Sequence, residues 1–175
     1  MAVSDFAHRL PLDRIGDGDR LDLVADEQER SEVARRLGLL SLDRFEAHAV
    51  LEREGDCIRA VGRIKCALDQ ACVATGQAVP AGVDEAFDLR FVPAPSKGAD
   101  EEIELHADEL DTIFHDGAAI DLGAAIADSL ALALDPYPRS ANAEAALRDA
   151  GVISEEDAGP FAALAALKGK LSGGG

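Results

Sequence analysis

The chain has 175 residues, 47% hydrophobic and 29% charged, with a formal net charge of −17; a globule of this size buries about 70% of its extended surface, so a disulfide scaffold is unnecessary. Such an excess of carboxylate opposes non-specific binding to phosphate backbones, and with no Trp and a single Tyr, Tyr137, there is little on which bases could stack. Three cysteines, nine and then six residues apart, form neither CxxC nor a zinc-type pair; no apolar run approaches the roughly eighteen residues of a membrane span, and no leader pattern opens the chain, so a cytoplasmic protein without membrane partners is expected.

In chain order, residues 21–24 read as a short strand feeding a helix over residues 26–38. Asp26 is placed to cap it, Glu29 to complete a capping box and Gly38 to stop it. Val33 and Leu37 share one face, while Arg35 and Arg36 look outward.

The next two segments test each other. "RFEAHAVLERE" sets Phe45, Ala47, Ala49 and Leu51 against Glu46, His48, Val50 and Glu52, and "CIRAVGRIKCALD" alternates in the same way. Joined antiparallel through Gly55-Asp56, Glu52 meets Arg59, His48 meets Arg63 and Glu46 meets Lys65. On the other side Leu51 meets Ala60, Ala47 meets Ile64 and Phe45 meets Cys66. A slip of one residue would put Phe45 opposite Lys65 and Leu51 opposite Arg59, destroying both faces. A two-residue turn and a four-residue loop both serve this pairing.

Residues 81–93 form a third alternating strand, with Val83, Glu85, Phe87, Leu89 and Phe91 on one side and Pro93 ending it. A long acidic loop follows near residue 96. Residues 103–120 read as two short strands joined at Asp116-Gly117. A helix over residues 121–134 is capped by Asp121 and striped by Leu122, Ile126, Leu130 and Leu134, and Pro136 and Pro138 lead the chain out of it. The tail holds an Ala-rich helical run, an acidic break and a short helix opened by Pro160. The expected organisation is one α+β domain over residues 1–140, its antiparallel sheet open or barrel-like with flanking helices, and a helical, partly flexible tail over residues 141–175.

No chemical constellation stands out, and no catalytic, cofactor-binding or metal-binding residues are expected. Cys72 has no histidine near it in sequence to act as a base, Cys66 falls on the apolar side of its strand and Cys57 borders the turn. His106 with Asp108 and His115 with Asp116 are neighbours that an acidic chain produces by chance, outside any HExxH or EF-hand pattern. Gly16-Asp17-Gly18 is too short and too acidic to cradle phosphate. Residues 1–80 carry 11 Lys/Arg against 15 Asp/Glu, and residues 81–175 carry 6 against 19, which confines any basic surface to the first half. There Arg59 and Lys65 have carboxylates on the adjoining strand. Arg63 faces only a histidine and is the candidate for an outside contact, together with Arg35 and Arg36.

The run from Val61 to Pro93, with "IDLGAAIADSLALALDPYPR" after it, resembles the YceD family, the large ribosomal RNA subunit accumulation proteins. The family's strand ending in glycine falls on Val61-Gly62, its "CVVT" segment on Cys72, Val73, Ala74 and Thr75, and its next valine on Val79. Its "F.L.F.P" pattern falls on Phe87, Leu89, Phe91 and Pro93, its "IDLG" box on Ile120, Asp121, Leu122 and Gly123, and its leucine-rich helix and proline exit on residues 130–138. "GPFAALAALK" is similar to the family's closing segment. The chain departs from the pattern after Thr75, where Gly76-Gln77-Ala78 replaces a leucine, a glutamate and a proline, and it lacks the second nearby cysteine of other branches. The resemblance implies a non-catalytic ribosome-biogenesis factor that supports 23S rRNA accumulation by contact with precursor 23S rRNA or a basic large-subunit ribosomal protein. A structural adaptor for a basic protein and a cysteine-dependent enzyme are the alternatives.

Overall fold

The computed structural model describes residues 6–95 and 112–152. The acidic loop near residue 96, the beginning of the first of the two short strands, the pair His106 and Asp108, the helix opened by Pro160 and the "GPFAALAALK" segment lie outside the described residues.

Strand β1 (Arg9–Pro11) and a turn of 3₁₀-helix (Leu12–Arg14) precede β2 (Asp19–Val24), α1 (Glu27–Leu37) and the three long strands β3 (Ser41–Glu54), β4 (Cys57–Ala71) and β5 (Ala78–Pro93). Strands β6 (Thr112–His115) and β7 (Ala119–Asp121) follow, then α2 (Leu122–Ala133) and α3 (Ala143–Asp149). Five strands form one sheet in the order β2-β3-β4-β5-β6, and β1 pairs with β7 in a separate two-stranded ribbon.

The hairpin has the expected register. Glu52 faces Arg59, His48 faces Arg63, Glu46 faces Lys65 and Phe45 faces Cys66, around a turn of only Gly55 and Asp56. Alternate side chains along the centres of β3 and β4 and from Phe87 to Phe91 of β5 enter one core, among them Phe45, Ile58, Ile64 and Phe91, each at most 1% exposed. Full burial of one such side chain contributes about 1.5–3 kcal/mol. Helix α1 packs on β3 through Val33, with Asp26 and Glu29 making the capping box and Gly38 in the left-handed conformation at its end. Helix α2 brings Leu122, Ile126 and Leu130 into the same core, with Leu134 half-buried beyond them.

Two expectations need correction. The sheet does not close into a barrel; β2 and β6 are its ends. The strands joined at Asp116-Gly117 do not pair with each other: β6 runs parallel to β5 and β7 antiparallel to β1. The turn hands the chain between the two sheets instead, held by Gly117 N–H donating to His115 Nδ1 (3.1 Å), Ala118 N–H to Asp116 Oδ1 (2.9 Å) and Leu12 N–H to the Ala118 carbonyl (3.1 Å).

Candidate partner-binding surface and motif loop

The solvent face of the sheet is built by the side chains that alternate away from the core. Arg59 lies between β3 and β5 and donates from Nε to Asp88 Oδ1 (2.8 Å), from Nη2 to Asp88 Oδ2 (2.6 Å) and from Nη1 to Glu52 (3.3 Å). This fork holds Asp88 below the usual carboxylate range and raises the Arg59 guanidinium. Arg44 holds Glu46 down in the same way, and Lys65 stands between Glu46 and Asp84 in register.

Arg63 is not the bare cation expected from its histidine neighbour. It donates from Nε to Asp84 of β5, whose carboxyl it holds down, while His48 pairs instead with Asp22 at 2.7 Å. The hairpin pattern exposed only one flank of Arg63; the other flank depended on where β5 docks. Arg36 is likewise engaged, reaching Asp128 of α2 at 3.3 Å, and Arg35 is exposed on α1. These arginines do not form one surface: Arg63 projects from the solvent face of the sheet, and Arg36 bridges the two helices.

The motif loop follows β4. Cys72 closes it on itself, donating N–H to the Gln77 carbonyl and accepting Gly76 N–H at its own carbonyl, both at 2.8 Å. The segment beyond α2 then lies against it: Val73 N–H donates to the Pro138 carbonyl (2.9 Å) and Gln70 Nε2 to the Asp135 carbonyl (2.9 Å). Ser140 N–H donates to Cys72 Sγ (3.3 Å), and its Oγ, 3.3 Å from the same sulfur and from Thr75 Oγ1, is shared with Asn142 Oδ1 (2.8 Å). Cys72 is 3% exposed, yet its sulfur faces these polar donors. The Ser140 hydroxyl and amide, the Thr75 hydroxyl and the Ala74 amide bring the thiol down to about 6 against the opposing effect of burial. Buried Cys66 meets apolar surroundings and is pushed up to about 12.

Because the folded state favours the Cys72 thiolate, its contribution to stability is present above the unfolded thiol's pKa, near about 8.5, and is lost as pH falls through about 6. Titration by thiolate ultraviolet absorbance should show one group with a midpoint near about 6 in the native chain, absent from the Cys72→Ser variant. Absence of any step near about 6 that the Cys72→Ser variant removes would refute this.

The remaining motif positions have structural reasons. A Cβ on Gly62 would lie 1.9 Å from the His48 carbonyl oxygen and 2.6 Å from Phe87 Cζ, so the glycine is what lets the Phe87 ring rest on the sheet. Val79 pairs with Gln70, Phe87 and Phe91 are core, and Pro93 ends β5 opposite His115. Asp121 caps α2 by accepting Ala124 N–H (3.0 Å), Leu122 is fully buried and Gly123 lies under the backbone of Phe6 to His8. Val73 is 55% exposed.

Two structural anchors were not legible in the sequence. His115 Nε2 lies 2.8 Å from the Asp56 carbonyl, clasping β6 to the hairpin turn while its Nδ1 accepts from Gly117. Arg53 donates to the carbonyls of Leu12 and Ile15. Neither carries a local pattern, because each partner is distant in the chain. No group of three or more His, Cys, Asp or Glu side chains suited to a metal occurs among the described residues, and no helix there is long and apolar enough to cross a membrane.

No curated protein and no solved structure gives a significant match to the chain. The family of the large ribosomal RNA subunit accumulation protein YceD matches residues 60–168, from near the start of β4 through the motif loop and α2. The chain belongs to the YceD family, which ties it to ribosome biogenesis.

Proposed function

We propose that the protein is a non-catalytic ribosome-biogenesis factor that supports 23S rRNA accumulation and large-subunit assembly by holding a basic large-subunit ribosomal protein. The observation that carries this reading is the engagement of Arg59 and Arg63 by Asp88 and Asp84. An RNA phosphate would have to displace these carboxylates, so the pairing leaves it no free cation there, while the carboxylates in excess of these pairs would draw a Lys- and Arg-rich surface. The excess of 19 Asp/Glu over 6 Lys/Arg in residues 81–175 supports it further.

Direct contact with precursor 23S rRNA, through Arg35, Arg36 and Arg63, is the second reading. The cysteine-dependent enzyme has less support, since His48 and His115 are engaged with Asp22 and Asp56, away from Cys72. In this reading the protein acts in the cytoplasm without cofactor, small-molecule substrate or membrane. Residues 1–140 form its working unit, and residues 141–175 an appended helical tail.

The test has two arms. Affinity purification from nuclease-treated lysate should recover a basic large-subunit ribosomal protein that salt releases, and deletion of the gene should lower the ratio of 23S to 16S rRNA until a plasmid copy restores it. Recovery that requires intact RNA would favour the rRNA-contact reading. A bound basic protein with an unchanged ratio would favour the structural adaptor.

A further inference from the structure

Strand β2 ends the five-stranded sheet. Ala25 N–H donates to the Phe45 carbonyl (3.0 Å) in the same register that pairs Leu23 with Ala47 and Leu21 with Ala49. In an antiparallel ladder the bonded pairs alternate, so Leu21 and Leu23 turn their backbone groups towards β3. Arg20, Asp22 and Val24 turn theirs outward, and among the described residues no backbone group bonds to them there.

The side chains along this edge describe what would fit it. On the core side Leu23 is buried, but Leu21 is only partly so, leaving an apolar rim uncovered. On the solvent side Val24 is 67% exposed beside the acid of Asp22. Residues 13–29 carry seven carboxylates against two arginines. The strand has no proline or bulge; the charges that guard it, Asp19, Arg20 and Asp22, are mostly acidic and so oppose other acidic strands more than basic ones. Its charge turns away a second copy of this acidic chain while favouring a cationic one. Arg44 and Arg63, which line the same depression as Asp22 and Val24, are engaged by Glu46 and Asp84.

We propose that the outer edge of β2 accepts an extended basic segment of the partner protein as an added strand, with alternate apolar side chains over Leu21 and cationic ones beside Asp22. This deepens the reading of a basic protein partner and rests on it. Backbone bonds supply the affinity in such an addition, and the alternating side chains supply the selectivity.

The test uses the full chain and a synthetic peptide of about ten residues, the upper range of an ordinary strand, alternating lysine and valine. The peptide should slow amide exchange at Arg20, Asp22 and Val24. Val24→Pro removes an outward donor and no bond to β3; it should weaken binding about tenfold or more, because the backbone ladder carries the affinity. Asp22→Lys should weaken binding through charge and serves if the proline variant does not fold. Equal binding by a peptide of the same charge interrupted by prolines would overturn the proposal. So would protection confined to other strands, or protection of β2 by polyuridine RNA and not by the peptide. The two levels separate in purification: a Val24→Pro chain that still captures the basic ribosomal protein refutes strand addition alone, whereas a native chain that captures none refutes the partner reading itself.

Discussion

Gly62→Ala should lower the unfolding free energy by about 3–5 kcal/mol, at the upper end for a single substitution. The new methyl would stand 1.9 Å from the His48 carbonyl oxygen and 2.6 Å from Phe87 Cζ. A flexible side chain could rotate away from such a contact, but the carbonyl belongs to β3 in the middle of a paired sheet, where a shift disturbs the flanking ladder. A loss of this size is a large share of the roughly 5–15 kcal/mol that holds an ordinary domain together. Urea unfolding of the variant checks it, and a midpoint within error of the parent chain would refute the close-approach account. Adding Phe87→Leu should recover only part of the loss, because it relieves the ring contact and leaves the carbonyl contact in place.

Gly123→Ala should cost less, about 2–4 kcal/mol, and act in a different place. Its methyl would meet the Phe6 carbonyl oxygen at 2.0 Å and His8 N at 2.8 Å. The segment carrying those atoms is narrow, held by Leu122 N–H donating to the His8 carbonyl (3.0 Å) and by the tilted stacking of Phe6 on Phe45 at 4.7 Å. The expected outcome is release of the Phe6 segment with the long strands intact. Amide exchange should quicken at Leu122 and along β1 while the centres of β4 and β5 keep their protection. Uniform loss of protection across the sheet would show that the glycine supports the whole core and not one docking contact.

The sequence was most informative where two periodic segments adjoin. Phe45 to Glu52 and Arg59 to Leu68 each alternate on both faces, so a single register satisfies apolar and charged partners together, and that register is the observed one. Single-helix features were equally plain, since the caps at Asp26 and Asp121 and the stripe from Leu122 to Leu130 depend on neighbours within a few residues. What periodicity does not encode is which distant strand lies alongside. The parallel placement of β6 beside β5, the Asp84 carboxylate against Arg63 and the Ser140 donors around Cys72 all arise from partners brought in by the tertiary fold. Alternation showed that Arg63 points outward; only the position of β5 shows that it is already engaged.

The ribbon of β1 and β7 constrains the order in which the molecule assembles. Arg9 pairs with Asp121, more than a hundred residues further along the chain. At about 5–20 residues per second, synthesis delivers the second strand on the order of ten seconds after the first. The hairpin of β3 and β4 has both its halves early, joined by a turn of two residues, and can form while translation continues. Strand β1 must wait with its partner unmade, and Phe6 waits with it for the neighbouring helix to arrive. Strand β1 is thus made before β2 to β5 yet can find its place only after all of them.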